Sequence, residues 1–341
     1  MNRTHRAIGA VVGSTVGDAL GAPFEFGPAG AFSARFPVPG GVPGSVPGSV
    51  PGSVPGDVPG GAPGSAPGDV PGKENEMCGG GGWDVGEATD DTQMALHLAE
   101  SLLEREGLDL PDIFARFQRW AVSKPKDIGL QTKDVLTNGM PWDRAAATHF
   151  QINHRAAGNG SLMRATTSAV YFARHGQTAT MDAARRIAAL THGDPAAWEG
   201  TAIFHDLLRV ALEGADPVAA LPDSLALVDP DQRERYSVVL ASHWHPDDAT
   251  EPNGAVWPCL GSALWALRTT SSYADAVRVA IDLGGDTDTV AAVTGGLAGA
   301  VYGADAIPVR WTEPLHVPLP GAGERVLRLP ELVDLAQRLV R

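Results

Sequence analysis

The chain has 341 residues, enough for one large domain or two ordinary ones, and 43% are apolar, which excludes a globally disordered protein. Lys and Arg total 26 against 40 Asp and Glu, a net charge of −14 that excludes a surface built to neutralise many phosphates. The two cysteines, Cys78 and Cys259, are too few for a disulfide scaffold and match no ligand-pair spacing, so a reducing, cytoplasmic setting is the expectation.

At the N-terminus, Arg3, His5 and Arg6 precede an apolar stretch from Ala7 to Val16, and Ala19-Leu20-Gly21-Ala22 resembles a small-residue cleavage site. The pattern mimics a secretory signal. Asp18, between the apolar run and the mimicked site, argues against one, as do glycines at 9, 13, 17 and 21. Elsewhere the longest apolar stretch, Val290 to Tyr302, falls short of the roughly 20 residues of a spanning helix. A soluble chain is expected.

Pro-Gly pairs then begin at 39 and recur every four residues to 71, each preceded by Val or Ala. Such units suit type II turns and carry nothing large to bury. Pro37 to Gly72 therefore predicts a flexible or polyproline-like insert that Gly79 to Gly82 prolong, with 37–82 as its full extent. Outside it the period is helical. Thr92 to Glu106 sets Ala95, Leu98, Ala99, Leu102 and Leu103 on one face, and Ile113, Phe114, Phe117 and Trp120 form a second stripe. Further helices are expected over 159–174, 181–190, 195–213, 233–242, 260–268, 273–283, 287–302 and 330–340. No alternating run of β-branched residues stands out. The expectation is all-α: a single large orthogonal helical domain, 1–341, of about ten or more helices.

Two acidic clusters open helices. Thr89-Asp90-Asp91-Thr92 follows a glycine-rich loop, and Gly284-Gly285-Asp286-Thr287-Asp288-Thr289 lies far downstream. Each alone suits a helix cap, since Thr and Asp cap N-termini and carboxylates favour the positive end of the dipole. Two such pairs are harder to explain by capping. Adjacent carboxylates repel and resist desolvation without a cation, whereas Mg²⁺ or Mn²⁺ takes such oxygen ligands. On the residues alone, caps and a metal site stay equally open. The Asp286-Thr287-Asp288-Thr289 run also looks like the Asp-x-Asp-x signature of haloacid-dehalogenase-type phosphotransferases, but there it ends a buried strand and here a helical segment precedes it. Gly158-Asn159-Gly160-Ser161-Leu162-Met163-Arg164 is a glycine-rich turn entering a helix, a plain cap or a cradle for an anion. His243, His245, Asp247 and Asp248 read as a solvated loop, His205 as a core histidine, and Trp257, Trp265 and Trp311 as core or rim aromatics.

Gly17-Asp18-Ala19-Leu20-Gly21 with Glu25, then Thr89-Asp90-Asp91-Thr92, Gly158 to Arg164, and Gly284 to Thr289 follow one another in that order. Together they resemble the ADP-ribosylglycohydrolase family, which includes the dinitrogenase reductase-activating glycohydrolases, over about Arg6 to Gly303 less the insert. The resemblance implies an all-α enzyme that holds two Mg²⁺ or Mn²⁺ ions and hydrolyses ADP-ribose from a modified target at the ribose anomeric carbon. It implies metal ligation by Thr89, Asp90 and Asp91 from one side and by Asp286, Asp288 and Thr289 from the other, with Glu25 approaching a metal and gating or assisting the reaction. Glu25, Asp90, Asp91 and Asp288 are its catalytic candidates. Gly158, Asn159, Gly160, Ser161, Leu162, Met163 and Arg164 match its ADP-ribose loop, and Thr191-His192-Gly193-Asp194-Pro195 resembles its Thr-His-x-x-Pro segment, with His192 lining the ribose site. The implied partner is an ADP-ribosylated protein or small ADP-ribose conjugate, with no nucleic acid and no membrane. A hydrolase of small conjugates and a non-catalytic ADP-ribose binder are the alternatives. The insert between Glu25 and Thr89 departs from the family pattern.

Overall fold

Seventeen α-helices dominate the described residues, 1–37, 75–323 and 325–341, of the computed structural model. In chain order they are α1 (Arg3–Gly21), α2 (Ala31–Arg35), α3 (Asp90–Glu104), α4 (Leu110–Val122), α5 (Leu130–Thr137), α6 (Ala145–Asn153), α7 (Gly160–Met163), α8 (Thr166–Phe172), α9 (Gln177–Ala188), α10 (Pro195–Leu212), α11 (Leu221–Ala226), α12 (Pro230–Val239), α13 (Val256–Thr269), α14 (Tyr273–Asp282), α15 (Thr287–Tyr302), α16 (Val309–Thr312) and α17 (Leu329–Leu339). The all-α expectation holds. Two three-residue strands, His316–Pro318 and Val326–Arg328, pair antiparallel with Val317 opposite Leu327. At that length alternation leaves no trace in the sequence.

The centre of the fold is the pair α1 and α15. Glycines every four residues lie on one helix face, and the face of Gly9, Gly13, Gly17 and Gly21 is where the two helices meet. A Cβ on Gly17 would stand 2.0 Å from the Ala291 carbonyl oxygen, and one on Gly299 would stand 1.9 Å from that of Gly9. The glycines that weaken a signal-sequence reading are thus the packing surface of a buried core helix. Gly17→Ala is expected to force the helices apart and cost about 1–3 kcal/mol of unfolding free energy. Urea denaturation checks this: an unchanged midpoint would refute the close-packed pair.

The expected helix over 159–174 is two short helices, α7 and α8, broken at Arg164 and Ala165. At the break the Arg164 side chain turns into the core, where it is fully buried. Of the predicted insert, residues 38–74 lie outside the described residues. Residues 75–82 rejoin the fold. The buried Glu76 carboxylate accepts hydrogen bonds from Arg278, from Arg310 Nε at 2.8 Å and from Trp311 Nε1 at 2.6 Å. Gly79 to Gly82 all have positive φ and close a turn in which Gly80 and Trp83 exchange backbone hydrogen bonds. That turn feeds directly into the acidic start of α3.

Candidate active site

Three segments distant in sequence converge at one end of the α1–α15 pair. At the end of α1, the Thr287 hydroxyl donates to the Gly21 carbonyl at 2.9 Å. Phe26 N–H donates to the Gly285 carbonyl at 2.6 Å, and Gly285 N–H returns to Gly27. Gly284 and Gly285 adopt left-handed φ of 72° and 69°, a conformation glycine takes without strain. This clamp sets the carboxylates of Glu25, Asp286 and Asp288 so that their ligand atoms lie within 4.8 Å of one another. The third segment is the start of α3. Fully buried Asp18, on α1, accepts from the Thr89 amide at 3.0 Å and from the Thr92 amide at 3.1 Å. Those bonds dock the N-terminus of α3 and aim Asp90 and Asp91 at the same space.

The result is a cavity of about 380 Å³ whose walls include Glu25, Asp90, Asp91, Asp127, Asp286 and Asp288, and no Lys or Arg among the described residues. Concentrated negative charge in a desolvated space favours the protonated form. Burial first, then Asp286, Asp127 and Asp18, push the Glu25 carboxyl up to about 7. Burial outweighs the hydrogen bonds to Asp18 and raises it to about 6. Burial, joined by neighbouring carboxylates, drives Asp90, Asp91 and Asp288 well above the usual carboxylate range. Asp91 Oδ2 is buried with no hydrogen-bond partner among the described residues, although Thr289 Oγ1 lies 3.5 Å from the other oxygen. An orphaned carboxylate oxygen among uncompensated acids has the chemistry of a hard-cation ligand. The residues present fit divalent metal.

The glycine-rich loop forms the facing wall. Gly158, Asn159, Gly160, Met163 and His192 line the cavity, together with Gln131 and Thr132. Asn159 Nδ2 donates to Asp286 Oδ2 at 2.9 Å, tying this loop to the second acidic cluster. The remaining expected site residues sit behind the wall. Thr89 caps α3 by accepting from the Asp91 amide at 3.3 Å. Ser161 accepts from Thr201 Oγ1 at 3.0 Å, Leu162 is in the hydrophobic core, and Arg164 donates to Thr191 Oγ1 at 2.6 Å. Their side chains support the site from below the cavity surface.

The family model described as ADP-ribosylglycohydrolase matches residues 1–341. The chain belongs to the ADP-ribosylglycohydrolase family. It is by class an enzyme acting on the glycosidic linkages of ADP-ribose. The ADP-ribosylarginine hydrolase Tri1 of Pseudomonas putida (strain GB-1) is 31% identical over 252 residues, 70% of this chain and 66% of that protein, so the match spans just under two thirds of the relative. The ADP-ribosyl-[dinitrogen reductase] glycohydrolase of Rhodospirillum rubrum is 26% identical over 321 residues, covering 92% and 90% of the two chains. A solved structure described as an ADP-ribosylglycohydrolase-related protein complex superposes with a TM-score of 0.71 at 33% identity, over 100% of this chain and 98% of that one.

In this family member three polar residues, two in the cavity wall and one behind it, escape a reading of the sequence. Asp127, in the loop between α4 and α5, faces the carboxylate cluster and helps raise Glu25 and Asp90. Asn253 accepts from the Asp286 amide at 3.0 Å and donates to the Gly284 carbonyl at 2.9 Å, bracing the second acidic turn. Gln131 reaches the Ala156 and Thr191 carbonyls. Each is a lone polar residue in or beside a loop, without a motif to mark it. The residues set aside stay outside the cavity. His245 caps the short 3-10 turn Pro246–Asp248, and His205 is buried against Ser168 and the Thr201 carbonyl. Trp257 packs under Arg235, Trp265 against His245, and Trp311 holds Glu76.

Proposed function

We propose that this enzyme is a metal-dependent hydrolase that releases ADP-ribose from arginine side chains. The observation that carries the reading is the uncompensated acidic cavity with an orphaned Asp91 oxygen, facing a glycine-rich wall. Glu25, Asp90, Asp91, Asp286, Asp288 and Thr289 would hold two Mg²⁺ or Mn²⁺ ions. Bound there, the ions would supply orientation of the ribose hydroxyls and polarisation of a water.

The rest of the chemistry falls to the chain. The C–N bond at the anomeric carbon breaks, a C–O bond to water forms, and the departing guanidine leaves with a proton. The water must lose a proton, and Glu25, at the edge of the cluster, lies among the carboxylates placed to take it. The negative walls favour both the developing positive charge on the ribose and a cationic guanidinium leaving group. The exposed Phe26 ring at the cavity mouth offers a flat face of the kind guanidinium groups stack on. The names of the Pseudomonas and Rhodospirillum relatives agree with a modified-protein substrate, and the Pseudomonas name with arginine.

Matched peptides carrying ADP-ribose on arginine or on serine test this. The arginine conjugate is expected to be cleaved at least tenfold more efficiently, a difference of about 1.4 kcal/mol in transition-state stabilisation. Equal rates, or a preference for serine, would overturn the arginine assignment.

A further inference from the structure

Arg164 stands in the glycine-rich motif, yet its guanidinium is fully buried and faces no carboxylate. It lies 4.8 Å over the Phe117 ring, and burial lowers its pKa to about 9. Its one close polar contact is Nη2 to Thr191 Oγ1 at 2.6 Å, and Thr191 Oγ1 in turn lies 2.8 Å from His192 Nδ1. Nε of Arg164 has no partner among the described residues. An arginine held this way must serve something other than an ion pair.

Donor arithmetic gives the polarity of the chain. A guanidinium only donates, so the Thr191 oxygen accepts from Arg164. Thr191 is fully buried, and its hydroxyl has no other acceptor among the described residues than His192 Nδ1. Were Nδ1 to carry the proton instead, the Thr191 O–H would be a buried donor with nowhere to go, which is unfavourable. The hydroxyl therefore donates to Nδ1. Burial, then Arg164 and His149, hold the imidazole well below its ordinary pKa, so it is neutral and its single proton sits on Nε2. His192 lines the cavity, and Nε2 has no partner among the described residues. The glycine loop packs against this edge: a Cβ on Gly160 would meet His192 Cε1 at 3.1 Å and Nε2 at 3.3 Å.

Side-chain N–H donors are scarce in this cavity: among the described lining residues only Asn159, Gln131 and His192 carry one. The carboxylates, once ionised to hold metal, only accept. Asn159 Nδ2 is spent on Asp286 and the Asn253 carbonyl, and Gln131 Nε2 on two backbone carbonyls. ADP-ribose, by contrast, presents phosphate and ribose oxygens that need donors. We infer that Arg164 and Thr191 are positioning residues that fix His192 as an Nε2–H donor to an oxygen of bound ADP-ribose. The ligand's identity rests on the function proposed above. The relay itself rests only on the buried contacts.

Two readouts separate those layers. Nitrogen NMR of labelled histidine in the ligand-free protein reports which ring nitrogen of His192 carries the proton, and calorimetry reports ADP-ribose affinity. The wild type is expected to show Nε2 protonated and Nδ1 bare. Thr191→Val keeps the shape and removes the hydroxyl. It is expected to give a mixture of tautomers, to weaken ADP-ribose about tenfold and to raise KM about tenfold with kcat little changed. Thr191→Ser should restore all three. Arg164→Met should also mix the tautomers, and Thr191→Val decides the matter if that variant does not fold. An unaltered Nε2–H tautomer in Thr191→Val, or mixed tautomers with undiminished affinity, would overturn the inference. A wild type with the expected tautomer and no affinity for ADP-ribose would sink the functional reading and the donor's assignment to that ligand, while leaving the relay standing.

Discussion

Asp288→Asn is expected to lower turnover by more than about 100-fold, because even residues that only orient metal ligands typically cost 10–100-fold when lost. Asp288 is buried on the first turn of α15, and its carboxylate lies within 4.8 Å of those of Glu25 and Asp286. Asparagine keeps the shape and removes one negative charge from a wall that has no Lys or Arg among the described residues. Without metal the substitution relieves repulsion, so the metal-free variant should melt no lower than the metal-free wild type. With metal it should gain much less stability than wild type does. The pairing of outcomes is the test. A variant that retains activity in metal-limited buffer contradicts the assignment of Asp288 as a ligand, and one that melts early without metal points to a structural role instead.

Stabilisation by Mg²⁺ or Mn²⁺ is expected to rise steeply from mildly acidic pH to above neutrality. Ligand carboxylates must be deprotonated, and here they are held protonated to unusually high pH. Glu25 is raised to about 7 and Asp18, behind it, to about 6. The sign follows from linkage. A carboxyl raised in the folded state binds more protons there than in the unfolded chain. The metal-free fold therefore loses stability from this cluster as pH climbs from the ordinary carboxylate range through those raised values. Metal reverses the loss, and at a free concentration of 100 times Kd it contributes about 2.7 kcal/mol. Melting curves with EDTA and with metal, taken across that range, should diverge as pH rises. A metal-induced shift independent of pH would show that the ions bind elsewhere.

The acidic clusters were legible in the sequence because carboxylates come in pairs at two helix starts, a density that capping alone does not require. Helix type was legible wherever the apolar stripe was long, as in α3, α10 and α15. What one segment contributes to another was not. Asp18 stands in a visible motif, but its work of docking the α3 N-terminus depends on α1 lying beside α3. The four-residue glycine spacing of α1 was visible, yet without α15 opposite it resembled a flaw in a leader segment. Asp127 and Asn253 are single polar residues in loops, and nothing local separates them from solvated ones. Arg164 was legible as part of the glycine-rich turn, but the break between α7 and α8 turns it away from the cavity toward Thr191, a direction no periodicity encodes.

On the proposed function, this acidic cavity hydrolyses ADP-ribose linkages with bound divalent metal. The most direct measurement follows release of free ADP-ribose from an ADP-ribosylarginine peptide by protein stripped with EDTA and then titrated with Mg²⁺ or Mn²⁺. Release should be near background without metal, rise saturably with added ion and vanish again in Asp288→Asn. Full activity in the stripped protein, or no release at any metal concentration, would contradict the account.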